Sequence, residues 1–501
     1  MALDPYRNDL IVGIVGAGAM GRGIAQVACV SGCRVILHDA NLDTSARALD
    51  FTSEMLDRAA VKGRLSNAEA DAARDRINVA DGIDSLAPCH VVFEAIIEDL
   101  ALKQAVFQDL EKIVADDTVI ATNTSSLTVA SIAAVCKMPE RVAGCHFFNP
   151  VPLMDLVEVA GSESTAPAVI SALMELGRRF GRQPVRVADV SGFLVNQIGR
   201  GYVIEAAHLA DAGIAGFADI DRIMRDAAGF PMGPFELMDL TGLDVTHPAT
   251  ERIFEGTGRD PRFRPSPLLQ QRMEDGLLGR KAGAGFYQYQ DGSVVTGPEP
   301  PAPNYDGRSV WVDSDRLTDL VENLGGSLDK DAKPGNESII LVSPLGGTAA
   351  KTISDGGLDP ARSVAIDTLF GLSGRRTLMP TPAASRDIIA AVHGLLASDG
   401  VPVTVITDSP GFIAPRIAAM IVNLGCAAAE AGTAELGDID RAVTMGLGYP
   451  RGPLAFGDAL GPDRVLKVLA AVHEQTGDSR YQPTQWLVDR VKYGVSLTTP
   501  D

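Results

Sequence analysis

What this 501-residue chain lacks narrows its class first. No uncharged apolar run approaches the ~18 residues that a membrane-spanning helix needs. The opening Met1-Ala-Leu-Asp-Pro-Tyr-Arg-Asn-Asp has neither a basic n-region nor an apolar h-region. The six cysteines (Cys29, Cys33, Cys89, Cys136, Cys145, Cys426) contain no C-x-x-C pair and no framework spacing, so they read as buried free thiols of a reducing compartment. Positive charge is scarce: 44 Lys+Arg against 64 Asp+Glu leaves a net charge of −20. So acidic a chain repels phosphate backbones and anionic lipid, which excludes nucleic acid and membrane as main partners. Any anionic ligand has to be held by local donors. A soluble, cytoplasmic protein is expected.

What remains is ordinary globular material, 46% hydrophobic and 22% charged, long enough for roughly three domains. Over residues 1–188, short β-branched runs (Leu10 to Val15, Arg34 to His38, Val91 to Ala95, Thr118 to Thr122, Val142 to Phe147, Val185 to Val187) alternate with amphipathic stretches. That is the pattern of βαβ units and a mostly parallel sheet, a Rossmann-like α/β domain. Residues 189–292 turn to long helical patterns, and Pro/Gly-rich residues within 293–335 read as a linker.

The last part of the chain repeats an earlier part. Asp189-Val-Ser-Gly-Phe-Leu and Asp408-Ser-Pro-Gly-Phe-Ile lie 219 residues apart. The same offset joins Asp219-Ile-Asp-Arg to Asp438-Ile-Asp-Arg, Gly229-Phe-Pro-Met-Gly-Pro to Gly448-Tyr-Pro-Arg-Gly-Pro, and Asp239 to Asp458. Residues 408–501 are therefore expected to be a second helical copy. A fainter echo of Val142-Ala-Gly-Cys-His-Phe-Phe in Val364-Ala-Ile-Asp-Thr-Leu-Phe, at offset 222, makes 336–407 a degenerate α/β remnant whose first traces start near 308. At that offset His146 falls on Thr368 and Glu158 on Pro380.

Ile11-Val-Gly-Ile-Val-Gly16-Ala-Gly18-Ala-Met20-Gly21 ends a strand and opens a helix. Gly16 permits the tight turn, Gly18 lets the backbone approach a pyrophosphate, and Gly21 allows close helix–strand packing. Asp39 closes the next strand, 18 residues after Gly21, where a carboxylate binds a ribose 2′-hydroxyl and repels a 2′-phosphate. The cofactor expected is NAD; no metal is expected.

His146 ends a β-like run, and twelve residues later Glu158 lies in another, with Pro150 and Pro152 barring a helix between them. Adjacent strand ends would let the carboxylate hold the imidazole for proton exchange during hydride transfer. Taken singly, His146 beside two phenylalanines also fits a satisfied core histidine, Ser125 a helix N-cap, and Asn196 a polar helix residue.

Taken together, Gly16 to Gly21, Glu94-Ala-Ile-Ile-Glu98-Asp-Leu-Ala-Leu-Lys103, Asn123-Thr-Ser-Ser-Leu127 and His146-Phe-Phe-Asn-Pro-Val-Pro closely resemble the L-3-hydroxyacyl-CoA dehydrogenase family. So do Asp189 to Asn196 and Lys281-Ala-Gly-Ala-Gly-Phe-Tyr287, and the likeness runs in order from residue 8 to about 290. The resemblance implies His146 as catalytic acid/base, Glu158 as its orienting partner, and Ser125 and Asn196 as donors to the substrate's oxygens. It places Met20, Glu98, Lys103, Asn149 and Lys281 near the cofactor and Lys62 at a coenzyme A contact, where Arg58 and Arg64 make the region locally basic.

The chain continues about 210 residues past the end of the short members. It resembles the long bacterial form associated with phenylacetate breakdown, including Tyr481-Gln-Pro-Thr-Gln-Trp486-Leu near its end. The activity implied is NAD-dependent oxidation of a (3S)-3-hydroxyacyl-CoA, 3-hydroxyadipyl-CoA or 3-hydroxybutyryl-CoA, by a homodimer with one active site per chain. Two rivals are a dehydrogenase of a free hydroxy acid, distinguished by turnover of the acid without any CoA thioester, and a non-catalytic NAD-binding structural protein. The second is disfavoured by the joint presence of Ser125, His146, Glu158 and Asn196.

Overall fold

The computed structural model describes residues 3–295 and 297–500; Met1 and Ala2 of the N-terminal reading, Thr296 of the linker and Asp501 lie outside them. The chain divides into two compact units, Met1–Gln197 with Ala431–Leu447, and Ile198–Glu430 with Gly448–Asp501. Among the described residues no helix is long and apolar enough to cross a membrane.

The first unit is built on a sheet of β1 (Ile11–Val15), β2 (Arg34–His38), β3 (Ile77–Ala80), β4 (Val91–Glu94), β5 (Val119–Thr122), β6 (Val142–Phe147), β7 (Leu156–Gly161) and β8 (Gln183–Ala188). Their spatial order is β3-β2-β1-β4-β5-β6-β7-β8, and every neighbouring pair is parallel except β6 with β7. β1 is buried along its whole length, as a central strand covered on both faces must be. Its Val12 and Ile14 join Val35, Leu37, Val91 and Phe93 in a core with Ile24 and Ala28 of helix Ala19–Val30 and Leu173 of helix Pro167–Arg179. The sequence pattern does not announce β3, whose Ile-Asn-Val-Ala is short and exposes its asparagine at the sheet edge.

This order reverses between β1 and β4, and such a switch opens a crevice at the carboxyl ends of the parallel strands. Gly16, Asp39, Glu94, Asn123 and His146 all lie at or just beyond those ends.

The second unit contains helices Phe217–Asp226, Pro234–Thr241, Leu243–Gly256 and Pro267–Glu274, then a hairpin of β9 (Gln288–Gln290) and β10 (Ser293–Val295). A second sheet follows: β11 (Val310–Val312), β12 (Ile339–Val342), β13 (Ser363–Ile366), β14 (Arg376–Pro380) and β15 (Val403–Val405), in that spatial order. Only β13 and β14 run antiparallel. Helices Ala414–Glu430, Pro453–Leu460, Pro462–Thr476 and Gln485–Tyr493 complete the unit. Helix Val195–Asp211 begins in the first unit and continues in the second.

Two sequence expectations change here. β11 and helix Asp315–Asn323 lie inside the span read as linker; Val310-Trp-Val312 is too short to stand out, and its strand character comes from pairing with β12. The remnant's strand order, with its single antiparallel pair, repeats β4 to β8. Among the described residues β1 to β3 have no second copy, and Ser338 to Gly347 corresponds to the β5 region.

The register of the faint repeat also shifts. Glu158 lies opposite Val185, four residues before Asp189, while Thr377 lies opposite Thr404, four before Asp408. Thr377 therefore stands in the place of Glu158. Asp367, whose amide donates to the Thr377 carbonyl at 3.0 Å, stands in the place of His146. The constant offset that pointed to Thr368 and Pro380 fails because the connecting loops of the two copies differ in length.

The helical copies meet in a buried charge cluster inside the second unit. Glu205 of the first copy lies 2.6 Å from Arg416 and 3.0 Å from Arg480, and the Tyr481 hydroxyl donates to it at 2.6 Å. Burial alone would raise the Glu205 carboxyl, but the two guanidinium groups hold it below its usual range.

Candidate active site

The three glycines of the first turn are required for different reasons. Gly16 has φ +99°, and a Cβ there would come 2.5 Å from the Ala95 carbonyl; a Cβ on Gly21 would come 1.7 Å from the Gly16 carbonyl. Both are needed by the fold itself. Around Gly18 a Cβ would meet nothing within 4 Å, so this position opens onto space at the start of helix Ala19–Val30. That helix start has no side-chain cap and no acidic residue in its first turn, leaving its N–H groups and positive dipole end for an anion. Met20, next to Gly21, packs partly against the domain core. Asp39 accepts from the Ala17 amide at 2.8 Å and the Asn41 amide at 2.9 Å, bracing the glycine turn from the end of β2.

Across the crevice, the Lys103 ammonium lies 2.7 Å from Glu94 and 3.2 Å from Glu98. Lys103 and Glu94 are fully buried, whereas the Glu98 side chain is 22% exposed. One Glu98 oxygen accepts from the hydroxyls of Thr124 and Ser126 and from the amides of Ser125 and Ser126. Burial opposes the charged form of Glu98, but Lys103 and these donors outweigh it and hold the carboxyl down at about 2. Glu94 went unread in the sequence because a nine-residue spacing to Lys103, strand to helix, has no periodic signal.

His146 and Glu158 sit directly opposite each other on the antiparallel pair β6 and β7, with His146 Nδ1 2.8 Å from Glu158 Oε2. The other Glu158 oxygen accepts from the Leu194 amide at 3.2 Å and the Val195 amide at 2.9 Å. Glu158 is fully buried, and these two amides fix one of its oxygens while the other faces the imidazole. If Nδ1–H donates to Glu158, a neutral imidazole leaves its Nε2 lone pair available for proton transfer. Phe148 and Phe193 flank the imidazole at ring distances of 4.4 and 6.0 Å. Phe193 has φ +45°, a left-handed conformation that a bulky residue adopts only when its surroundings enforce it.

Ser125 and Asn196 are brought together: the Asn196 amide donates to the Ser125 carbonyl at 3.2 Å. Ser125 is not a helix cap; Thr128 fills that place for helix Val129–Ala133. The Ser125 backbone also bonds Glu98, so one chain of contacts runs Lys103–Glu98–Ser125–Asn196.

Lys62 and Asn149, read separately in the sequence, line one pocket of about 440 Å³ between helices Ala19–Val30 and Leu42–Val61 and the turn after β6. Arg22, Arg58, Arg64 and Arg182 line it too, making it strongly basic in an acidic protein. Arg22 stacks 3.7 Å over the Phe51 ring. Arg22 and Arg182 were not legible as site residues, since isolated arginines in an amphipathic helix and a turn read as solvated charges. Lys281 belongs to the second unit, where Asp244 lies 2.5 Å from its ammonium. The cysteines are free; five are buried and Cys136 is partly exposed, and burial pushes the Cys29 and Cys89 thiols up to about 12.

Residues 11–190 match the model of the 3-hydroxyacyl-CoA dehydrogenase NAD binding domain, and residues 192–289 and again 411–498 match that family's C-terminal domain. The chain is 35% identical to 3-hydroxyadipyl-CoA dehydrogenase of Escherichia coli over 96% of its own length and 98% of the relative's. It is 38% identical to the mitochondrial hydroxyacyl-coenzyme A dehydrogenase of Sus scrofa over 56% of its length and 91% of the relative's. A crystal structure of 3-hydroxybutyryl-CoA dehydrogenase from Escherichia coli superposes with a TM-score of 0.84 at 33% identity, covering 97% of this chain and 99% of that one.

Proposed function

The chain belongs to the 3-hydroxyacyl-CoA dehydrogenase family, and from that premise we propose that His146 and Glu158 carry the proton in oxidation of a (3S)-3-hydroxyacyl-CoA to the 3-oxoacyl-CoA. The observation that carries this reading is the His146 Nδ1 to Glu158 Oε2 bond of 2.8 Å, with the second Glu158 oxygen already saturated by backbone. The saturated carboxylate cannot turn away, so Nε2 is presented as base. His146 takes the proton of the 3-hydroxyl while the hydrogen on C3 leaves as hydride. Ser125 and Asn196 hold the substrate's oxygens in line. In the reverse direction His146 returns the proton to the 3-oxo group.

NAD, when bound, accepts the hydride. The residues present fit it: open space over Gly18, uncapped N–H groups at the helix start, and Asp39 where an adenosine ribose would lie. The Asp39 carboxylate favours NAD over NADP because it would repel a 2′-phosphate. Glu98 lines the cofactor crevice, with Lys103 and Glu94 fixing it from behind. The basic pocket of Lys62, Arg58, Arg64, Arg22 and Arg182 receives the phosphates of coenzyme A.

For the acyl group we propose 3-hydroxyadipyl-CoA, for which a relative matched over 96% of this chain is named; 3-hydroxybutyryl-CoA, for which the solved structure matched over 97% of it is titled, is the alternative that a substrate panel separates. A panel of 3-oxoacyl-CoA substrates followed by NADH absorbance tests the whole reading. The expected result is turnover of CoA thioesters with the highest kcat/KM for 3-oxoadipyl-CoA. Turnover of a free oxo acid with no thioester active would overturn it.

A further inference from the structure

The second-copy helix Leu436–Leu447 groups with the first unit. Two contacts seat it there. The Ala188 amide, at the end of β8, donates to the Thr433 carbonyl at 2.7 Å just before the helix. Near the helix's other end, Gly446 lies so close to the sheet that a Cβ would come 2.9 Å from Leu156 Cδ2 and 3.0 Å from Val195 Cγ1.

Both neighbours of Gly446 border the His146–Glu158 pair. Leu156 precedes Glu158 by two residues on β7, and alternation along a strand puts both on the same face. Val195 supplies one of the two backbone N–H groups that hold Glu158 Oε1, and it immediately precedes Asn196. Where Val195 sits therefore decides how Glu158 is held and where the Asn196 amide starts.

The first copy carries a different pair of residues at the corresponding positions. At the offset of 219, Gly446 corresponds to Ala227 and Val195 to Ala414. The copy facing the complete sheet has glycine opposite valine; the other has alanine at both positions. The seating bond is repeated too, inside the second unit, where the Thr407 amide donates to the Ile214 carbonyl at 2.9 Å.

We propose that Gly446 is a positioning residue for the His146–Glu158 pair. Its missing side chain lets helix Leu436–Leu447 press Val195 and Leu156 into place and so fixes the backbone donors of Glu158. The second helical copy is thereby part of the active-site architecture. The inference rests on the assignment of His146 and Glu158 above.

The test uses the full chain with Gly446→Ala, Gly446→Ala combined with Val195→Ala, and His146→Gln as reference. Displacing the donors by a few tenths of an ångström is expected to lower kcat on the order of tenfold. KM for NADH and the NADH-binding stoichiometry should stay unchanged. Val195→Ala in the Gly446→Ala background returns the lost space and should recover most of kcat. An unchanged kcat in Gly446→Ala would overturn the proposal, as would a loss that Val195→Ala does not rescue. A Gly446→Ala chain that fails to fold or to bind NADH would assign the glycine a purely structural role and overturn it too. If His146→Gln itself keeps full activity, the underlying assignment fails, and the two failures are told apart.

Discussion

Asp189 and Asp408, 219 residues apart, make the same pair of hydrogen bonds in their two copies. Asp189 accepts from the Val129 and Ala130 amides at 2.6 and 2.7 Å, and Asp408 from the Ala349 and Ala350 amides at 2.7 and 3.0 Å. In each copy the carboxylate ties the start of a short helix to the chain leaving the last strand of its sheet. Phe193 and Phe412, four residues further on, share the left-handed backbone as well. The duplication thus preserved hydrogen-bonded joints that hold a fold together, while the groups proposed to react were lost: Asp367 and Thr377 replace His146 and Glu158, and Pro415 replaces Asn196.

Titration calorimetry should therefore give one NADH per chain. Among the described residues the remnant repeats only β4 to β8, with no counterpart of the glycine turn to seat a second dinucleotide. Two cofactors per chain would contradict this.

His146→Gln should lower kcat by about 10²–10⁴, the range for a positioned acid/base, while NADH titrates normally. Glu158→Gln should fall by less, since the amide oxygen can still accept from Nδ1. Steady-state rates with 3-oxoacyl-CoA check both, and a His146→Gln enzyme within tenfold of the parent would disprove the role.

Asp39→Ala should reduce the preference for NAD over NADP and raise KM for NADH on the order of tenfold, because the side chain also braces the Ala17 amide. Comparing kcat/KM for the two cofactors reads the change; an unaltered ratio would remove Asp39 from cofactor choice.

Lys62→Ala should raise KM for the CoA substrate several-fold with little change in kcat, and added salt should raise KM in the parent enzyme more than in the variant. KM measured over a salt series decides this. A kcat loss without a KM change would move Lys62 out of the phosphate pocket.

Glu98 adds an acid-side stability dependence. Its carboxyl is depressed from 4.5 to about 2, so its contribution is complete above the unfolded value and is lost as pH falls from 4.5 toward 2. Urea unfolding across that window should show a shallower loss in Glu98→Gln than in the parent. Parallel curves would show that its charge does not couple to folding.

The sequence alone was enough for the glycine turn, the parallel-sheet pattern and the repeat, because these depend on local rules. Gly16 and Gly21 are demanded by a backbone approach within one turn, alternating β-branched runs pair as strands, and Asp189 and Asp408 recur at a constant spacing. Tertiary structure decided what depends on which strands become neighbours. The antiparallel register of β6 and β7 turns a histidine and a glutamate twelve residues apart into a bonded pair. Burial links Glu94 to Lys103, and Lys62, Arg22 and Arg182 converge on one pocket from separate segments. Loop lengths moved the remnant's register to Asp367 and Thr377, and a missing side chain at Gly446 let a helix from the far end of the chain reach Val195. Hydrophobic and turn patterns repeat along the chain and can be counted there; a register, a charge pair or a steric fit exists only when distant segments meet.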